Sequence, residues 1–259
     1  MTGQQIAAMR PLEDRKAAVI VGASTGIGAA LARRLAKEGY TLGLLARRGD
    51  LLDALCAELN ADGVTRALAY VHDVTETDVA AGLLAQVTHD LGGLDLFVYN
   101  AGVMYRNDRN VYDVAQDLAT IEVNVLGAVA WLLPVAERFA RAKRGHIVGI
   151  GSIAGVRGRA GMPAYTASKA ALHAYLEGLR NRLAAHRVTV TTIRPGQVDT
   201  DMLKNADKVR GPISAEQAAE LIWRAIKGKK EEVYIPARWG LIALVVRHMP
   251  SVIFKRLNI

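Results

Sequence analysis

Short aliphatic runs alternate with longer segments of helical period along most of the chain. The runs Ala17–Val21, Tyr40–Ala46, Ala67–Val71, Leu94–Tyr99, His146–Gly151, Val188–Ile193 and Glu232–Ile235 read as strands. Between them, Ala29–Glu38, Leu51–Leu59, Asp78–His89, Ala115–Ala140, Pro163–Ala185 and Ser214–Lys227 carry helical patterns. Pro134 is expected to bend the long fourth helix or end a turn there. Ser214 is a predicted N-cap, and Gln217 sits where it closes a capping box. Strands apolar on both faces and separated by helices imply a parallel sheet covered on both sides. The expected fold is α/β: a single-domain, Rossmann-like doubly wound parallel sheet with helices on both faces. Its predicted extent is residues 17–235, after an N-terminal segment (1–16) and before an apolar and basic tail (236–259).

Composition fits this reading. Apolar residues make up 51% of the 259 positions and charged residues 22%, enough for a sizeable core. Aromatics are only 5%, so aliphatic side chains must fill it. A single cysteine, Cys56, excludes an intramolecular disulfide, and no metal site is expected from it and six scattered histidines. The formal charge of +8 suits an anionic ligand, a phosphorylated cofactor, nucleic acid or an acidic membrane surface. No nucleic-acid recognition motif is present, and no such partner is expected. The first residues lack the apolar core of a secretory signal. The longest candidate apolar run, Trp239–Val246, is far short of the roughly 20 residues of a membrane span. A reducing, cytoplasmic setting is the expectation, with membrane association through the tail left open.

Chemistry enters at Gly22-Ala23-Ser24-Thr25-Gly26-Ile27-Gly28, between the first strand and the first helix. Glycines there permit a tight turn and close approach of the backbone to a pyrophosphate. The helix N-terminus adds free N–H groups and a positive dipole end. After strand two, an NAD-preferring site would carry a carboxylate for the adenosine ribose. This chain has Ala46-Arg47-Arg48 instead. Arg47 is the candidate partner of a ribose 2′-phosphate, which predicts NADP(H) over NAD(H); Arg48 is left open between partner and bystander. Further on, Tyr165 and Lys169 stand at i and i+4, on one helix face. A phenol titrating near 10 is a poor base at neutral pH, and a nearby ammonium favours its ionised form.

The G-x-x-x-G-x-G spacing, with Tyr165-x-x-x-Lys169 and Ser152 thirteen residues before the tyrosine, resembles the classical short-chain dehydrogenase/reductase family over roughly residues 15–235. That resemblance implies an NADP(H)-dependent oxidoreductase moving hydride between nicotinamide and a carbonyl or secondary alcohol. Tyr165 would be the general acid/base, Ser152 would orient the substrate oxygen, and Lys169 would also hold the nicotinamide ribose. Asn124, in Val123-Asn124-Val125, matches the family residue that bends the long helix and positions a relay water. The cofactor set implied is Gly22, Ser24, Thr25, Gly26, Ile27 and Gly28 in the loop, Asp73-Val74 at the adenine, and Asn100-Ala101-Gly102 along the cofactor. Pro195, Gly196, Val198 and Thr200 would face the nicotinamide carboxamide. The chain departs from the family at Val21, where a threonine is usual, and at Tyr99, where an asparagine is usual.

The substrate side is less explicit. Met104, Tyr105, Met162, Met202 and Leu203 are candidate apolar walls. Arg157, Arg159, Lys204, Lys208 and Arg210 are candidate cations for an acidic substrate, each with a solvated loop face as the plainer reading. The expected substrate is a small, partly apolar carbonyl or alcohol. The competing class is a non-catalytic NADP(H)-binding regulatory or scaffold protein, against which the Tyr165/Lys169 pair speaks. Similar enzymes are often dimers or tetramers, so a homo-oligomer is implied. The tail, with Trp239 and alternating apolar and basic stretches, is expected to pack on its own domain or a second subunit; a peripheral membrane contact or a cap over the pocket is the alternative.

Overall fold

The computed structural model describes residues 16–105, 111–205, 209 and 211–257. Residues 1–15 of the N-terminal segment and the candidate cations Lys208 and Arg210 lie outside the described residues.

Seven parallel strands form one sheet in the order β3-β2-β1-β4-β5-β6-β7. They are β1 (Ala17–Val21), β2 (Thr41–Ala46), β3 (Ala67–Val71), β4 (Leu96–Tyr99), β5 (Gly145–Ile150), β6 (Val188–Pro195) and β7 (Glu232–Ile235). The connecting helices are α1 (Gly26–Ala36), α2 (Gly49–Asn60), α3 (Ala80–Leu91), α4 (Val114–Ile121), α5 (Gly127–Ala142), α6 (Pro163–Leu183) and α7 (Ala215–Lys227). Two further helices, α8 (Arg238–His248) and α9 (Ser251–Phe254), make the tail.

The pleat of β1 shows how one sheet serves two cores. Ala18 and Ile20 face a cluster with Leu31, Leu35, Leu52 and Ile222. Ala17, Val19 and Val21 face the other, with Leu84, Val87, Trp131 and Leu176. Every β1 residue is buried, which is why the strand reads as continuous apolar sequence rather than alternation. Strand order reverses between β1 and β4, and the crevice at their carboxyl ends is where such sheets bind ligands.

Most predicted elements form, with ends shifted by a few residues. Ser214 caps α7, and both hydrogen bonds of the capping box with Gln217 are made. Pro134 neither ends nor interrupts α5. The break falls upstream, in a π-helical turn at Glu122–Leu126 that holds Asn124. The expectation about membrane-length runs also needs correcting. The continuous helix Val114–Ala142 is long and apolar enough to cross a bilayer. Glu122 and Asn124 interrupt the run in sequence but leave its average high. The half that follows buries Trp131, Leu132, Val135 and Phe139 against the sheet, the signature of a core helix.

Candidate active site

The glycine loop turns on Gly22, at φ +87°, a conformation open to glycine at little cost. A Cβ on Gly28 would fall 2.0 Å from the Gly22 carbonyl oxygen, so only glycine lets α1 start this close to the strand. Asn100 fastens the loop to β4 by donating from Nδ2 to that same oxygen at 2.6 Å. The carboxyl ends of the strands then open into a cleft of about 340 Å³. All the sequence-predicted cofactor residues lie along its wall: Gly22 and Ser24 to Ile27, Arg47, Asp73, Val74, Asn100 to Gly102, Tyr165, Lys169, Pro195, Gly196, Val198 and Thr200, with Gly28 immediately behind.

The two arginines after β2 separate. Arg47 is exposed and leans towards Asp73, with Nη1 3.6 Å from Oδ2. Burial raises the Asp73 carboxyl, but hydrogen bonds from the Thr75 backbone and hydroxyl, with Arg47, outweigh it and hold the group below the usual range. Arg48 turns into the loop and donates from Nη2 to Ser24 Oγ at 3.1 Å and Thr25 Oγ1 at 2.8 Å. The residue left open from sequence is thus the one joined to the glycine loop.

Opposite the loop, α6 presents Tyr165 and Lys169 on one face, both buried. Lys169 Nζ stands 6.0 Å from the Tyr165 ring centre and donates to the Ile150 carbonyl at 3.2 Å. Burial without a carboxylate lowers the ammonium to about 8. The Tyr165 phenol is raised by burial, against which a Ser152 hydrogen bond and the Arg159 charge pull downwards. Desolvation is the largest influence on both groups, and the influences that lower the phenol come from Ser152 and Arg159.

Ser152 stands at the end of β5, where a 3₁₀ turn (Ile153–Val156) begins, and its Oγ accepts from Ala154 N at 3.1 Å. Its backbone N–H donates to Nε2 of buried His173 at 3.3 Å. Burial, with the charges of Arg194 and Lys169, lowers His173 to about 3 and keeps it a neutral acceptor. A Cβ on Gly151 or Gly155 would strike the imidazole, at 2.2 and 2.6 Å. Sequence reasoning missed His173. The available signal was its place one turn beyond Lys169 on the same helix face.

Asn124 is fully buried behind this group. Its Nδ2 donates to the Val103 carbonyl at 2.9 Å and to Ser168 Oγ at 3.0 Å, and its Oδ1 accepts from Val103 N at 2.8 Å. Tyr99, the departure from the family pattern, proves constructive: its hydroxyl donates at 3.0 Å to the carbonyl of Val123, inside the π-helical turn.

Of the proposed substrate walls, Met104, Met162, Met202 and Leu203 line the cleft, whereas Tyr105 is not among its lining residues. Arg159 lines it too, but Arg157 points away to the tail and Lys204 pairs with Asp201 at 2.6 Å. Trp239, in the tail expected to pack on its own domain or a second subunit, borders the cleft. A Cβ on Gly196 would fall 1.9 Å from its indole nitrogen. Among the described residues, no group of three or more His, Cys, Asp and Glu side chains is placed to hold a metal ion.

Comparisons with known proteins agree with this geometry. The family model for short chain dehydrogenases matches residues 16–211. An uncharacterized oxidoreductase of Myxococcus xanthus is 35% identical over 240 residues, 92% of this chain and 94% of that protein. A short-chain dehydrogenase from Burkholderia cenocepacia, solved with NADP, superposes with a TM-score of 0.80 at 26% identity, over 95% of this chain and 98% of the other. An alcohol dehydrogenase from Thermococcus sibiricus, complexed with 5-hydroxy-NADP, gives 0.77 at 28%, over 85% of this chain and 96% of the other. With the glycine loop, the Tyr165/Lys169 pair and the seven-stranded parallel sheet, these matches establish that the chain belongs to the short-chain dehydrogenase/reductase family of oxidoreductases.

Proposed function

We propose that the protein is an NADP(H)-dependent reductase or dehydrogenase interconverting a carbonyl compound and its secondary alcohol, with Tyr165 as general acid/base. The observation that carries this is the meeting of Ser152, Tyr165 and Lys169 in one cleft across from the glycine loop, with Asn124 packed behind them. A non-catalytic NADP(H) binder has no use for a buried phenol and ammonium at that place.

The fit of the cofactor rests on this chain's own residues. A Cβ at Gly22 would lie 2.6 Å from the Ala101 backbone, so glycine there lets the loop lie directly against the end of β4. Arg48, Arg47, Ser24 and Thr25 form a cationic, hydroxyl-bearing corner at the end of β2; the strand end itself carries no carboxylate, and the nearby Asp73 pairs with Arg47 at 3.6 Å. A ribose 2′-phosphate suits that corner, and the two NADP-type complexes of similar proteins agree with it. A bound nicotinamide supplies or accepts the hydride.

The residues of the chain do the rest. Ser152 donates its hydroxyl proton to the substrate oxygen and fixes its direction. Tyr165 gives its proton to that oxygen in reduction and takes one back in oxidation. Lys169 holds positive charge beside the phenol as it ionises and reaches the ribose hydroxyls. Asn124 ties the π-helical turn to the Val103 backbone behind the lysine.

Met104, Met162, Met202, Leu203 and Trp239 favour a partly apolar substrate. The same proposal takes residues 17–235 as one catalytic domain, 236–259 as an added tail, and a cytoplasmic setting. Exposed Val114, Leu118, Leu126 and Leu133, along one long helix, support self-association into a homo-oligomer. The test is NADPH consumption against a panel of ketones and aldehydes, apolar members included. Turnover of at least one carbonyl is expected; tight NADPH binding with no turnover across the panel would favour the non-catalytic reading.

A further inference from the structure

The tail carries more apolar surface than the domain beneath it uses. On α8, Trp239 and Ala243 turn inward, Trp239 against Gly196 and Ala243 only 3% exposed. Leu241, Leu244 and Val245, at i, i+3 and i+4, form an outward stripe with exposures of 72%, 58% and 61%. Val252 and Ile253 of α9 add to it, at 67% and 51%. A helix apolar on both faces is ordinarily covered on both.

Charge indicates what covers it. No Asp or Glu follows Glu232 in the sequence. Arg247, Lys255 and Arg256 flank the stripe, all exposed and none in an ion pair among the described residues. A second copy docked tail to tail by a two-fold axis would bring these cations against each other, with no Asp or Glu side chain among residues 233–259 of either copy to relieve them. An anionic lipid surface answers both features, taking the aliphatic stripe at the acyl boundary and the cations at the headgroups. We propose that α8 and α9 form the docking face of this protein for an anionic lipid bilayer.

The mount is firm. Arg157 donates to the carbonyls of Val246, at 3.0 Å, and Met249, and to Ser251 Oγ at 3.1 Å. Its guanidinium lies 4.1 Å over the Phe254 ring. Arg157 directly follows the 3₁₀ turn that begins after Ser152, and Trp239 of α8 borders the cleft. The docking face and the cleft therefore share α8.

This inference stands apart from the redox reading, and failure of either leaves the other intact. Its test is flotation of the full chain with vesicles of phosphatidylcholine alone and of an equal mixture with phosphatidylglycerol. The protein should float with the mixed vesicles at low salt, be released at high salt, and stay behind with phosphatidylcholine. At about fivefold per cation, the combined change Arg247→Glu, Lys255→Glu and Arg256→Glu should lower partitioning at least tenfold. Leu241→Ser with Leu244→Ser and Val245→Ser should do the same. All six side chains are exposed, so unchanged thermal melting of both variants is expected and shows that folding is not the cause. Absence of flotation on mixed vesicles at low salt, or flotation unaltered in both variants, overturns the proposal. A dimer seen by light scattering that only the serine variant dissociates also overturns it, because a second copy would then be the cover.

Discussion

Lys169 and His173 stand one turn apart on α6, and burial acts on both in the same sense. His173 binds its proton at about 3 in the fold and His146 at about 4, against an ordinary histidine value of 6.5. Between these values the unfolded chain holds more protons, so stability rises with pH there and is lost as pH falls below about 6.5. Urea titrations from pH 7 down to about 4 should show that loss, and His173→Leu should reduce the slope. The same substitution removes the acceptor of the Ser152 N–H, and a buried donor left unpaired costs about 1–3 kcal/mol at neutral pH. A pH slope equal to that of the wild type would mean that His173 is not buried neutral. Lys169 gives the alkaline counterpart: with its folded value at about 8 and the ordinary lysine value at 10.5, its contribution improves as pH rises through that window. Lys169→Met should flatten that rise.

Arg48 carries the second residue-scale prediction. It touches Ser24 and Thr25, whereas Arg47 reaches towards Asp73. Charge-assisted hydrogen bonds contribute about 1.5–3 kcal/mol, so Arg48→Ala should weaken NADPH about tenfold to a hundredfold and NADH far less. Fluorescence titration with both cofactors measures this. Equal losses for the two would remove the 2′-phosphate from the account.

At the scale of elements, the π-helical turn shows what pattern reading reaches and where it stops. Periodicity located one long helix, and the family resemblance, not the pattern, implied a bend at Asn124. Pro134 was the more conspicuous breaker, yet α5 runs through it. The turn instead places the Val123 carbonyl where the Tyr99 hydroxyl meets it, a pairing across 24 positions that no local pattern contains. The sheet was legible for a simple reason: strands buried on both faces are apolar throughout. The separation of Arg47 from Arg48 was not, because it depends on which rotamer reaches a loop that lies after a different strand. Tyr99→Phe removes the hydroxyl and its bond to the Val123 carbonyl, so stability should fall by about 0.5–1.5 kcal/mol. NADPH affinity should change little, because the loop anchor at Asn100 is untouched. A variant as stable as the wild type in urea unfolding would show that the turn is held without Tyr99.

On the scale of the whole molecule, one edge of the sheet gathers everything the proposed chemistry requires. The β1/β4 switch point gives the glycine loop, β5 gives Ser152, α6 gives Tyr165 and Lys169, and the tail adds Trp239 as a wall. Removing residues 238–259 should therefore alter the substrate side more than the cofactor side. KM for an accepted carbonyl should rise several-fold while NADPH affinity holds; loss of NADPH binding would mean that the tail supports the fold instead. The central claim is that the cleft is a catalytic centre with Tyr165 as its proton donor. It is tested most directly by Tyr165→Phe, with NADPH binding and carbonyl turnover measured on the same preparation. General acid catalysis contributes about 10²–10⁴-fold. The account predicts NADPH binding close to the wild type, with kcat lowered by at least a hundredfold. Turnover by the Tyr165→Phe variant equal to that of the wild type would contradict it.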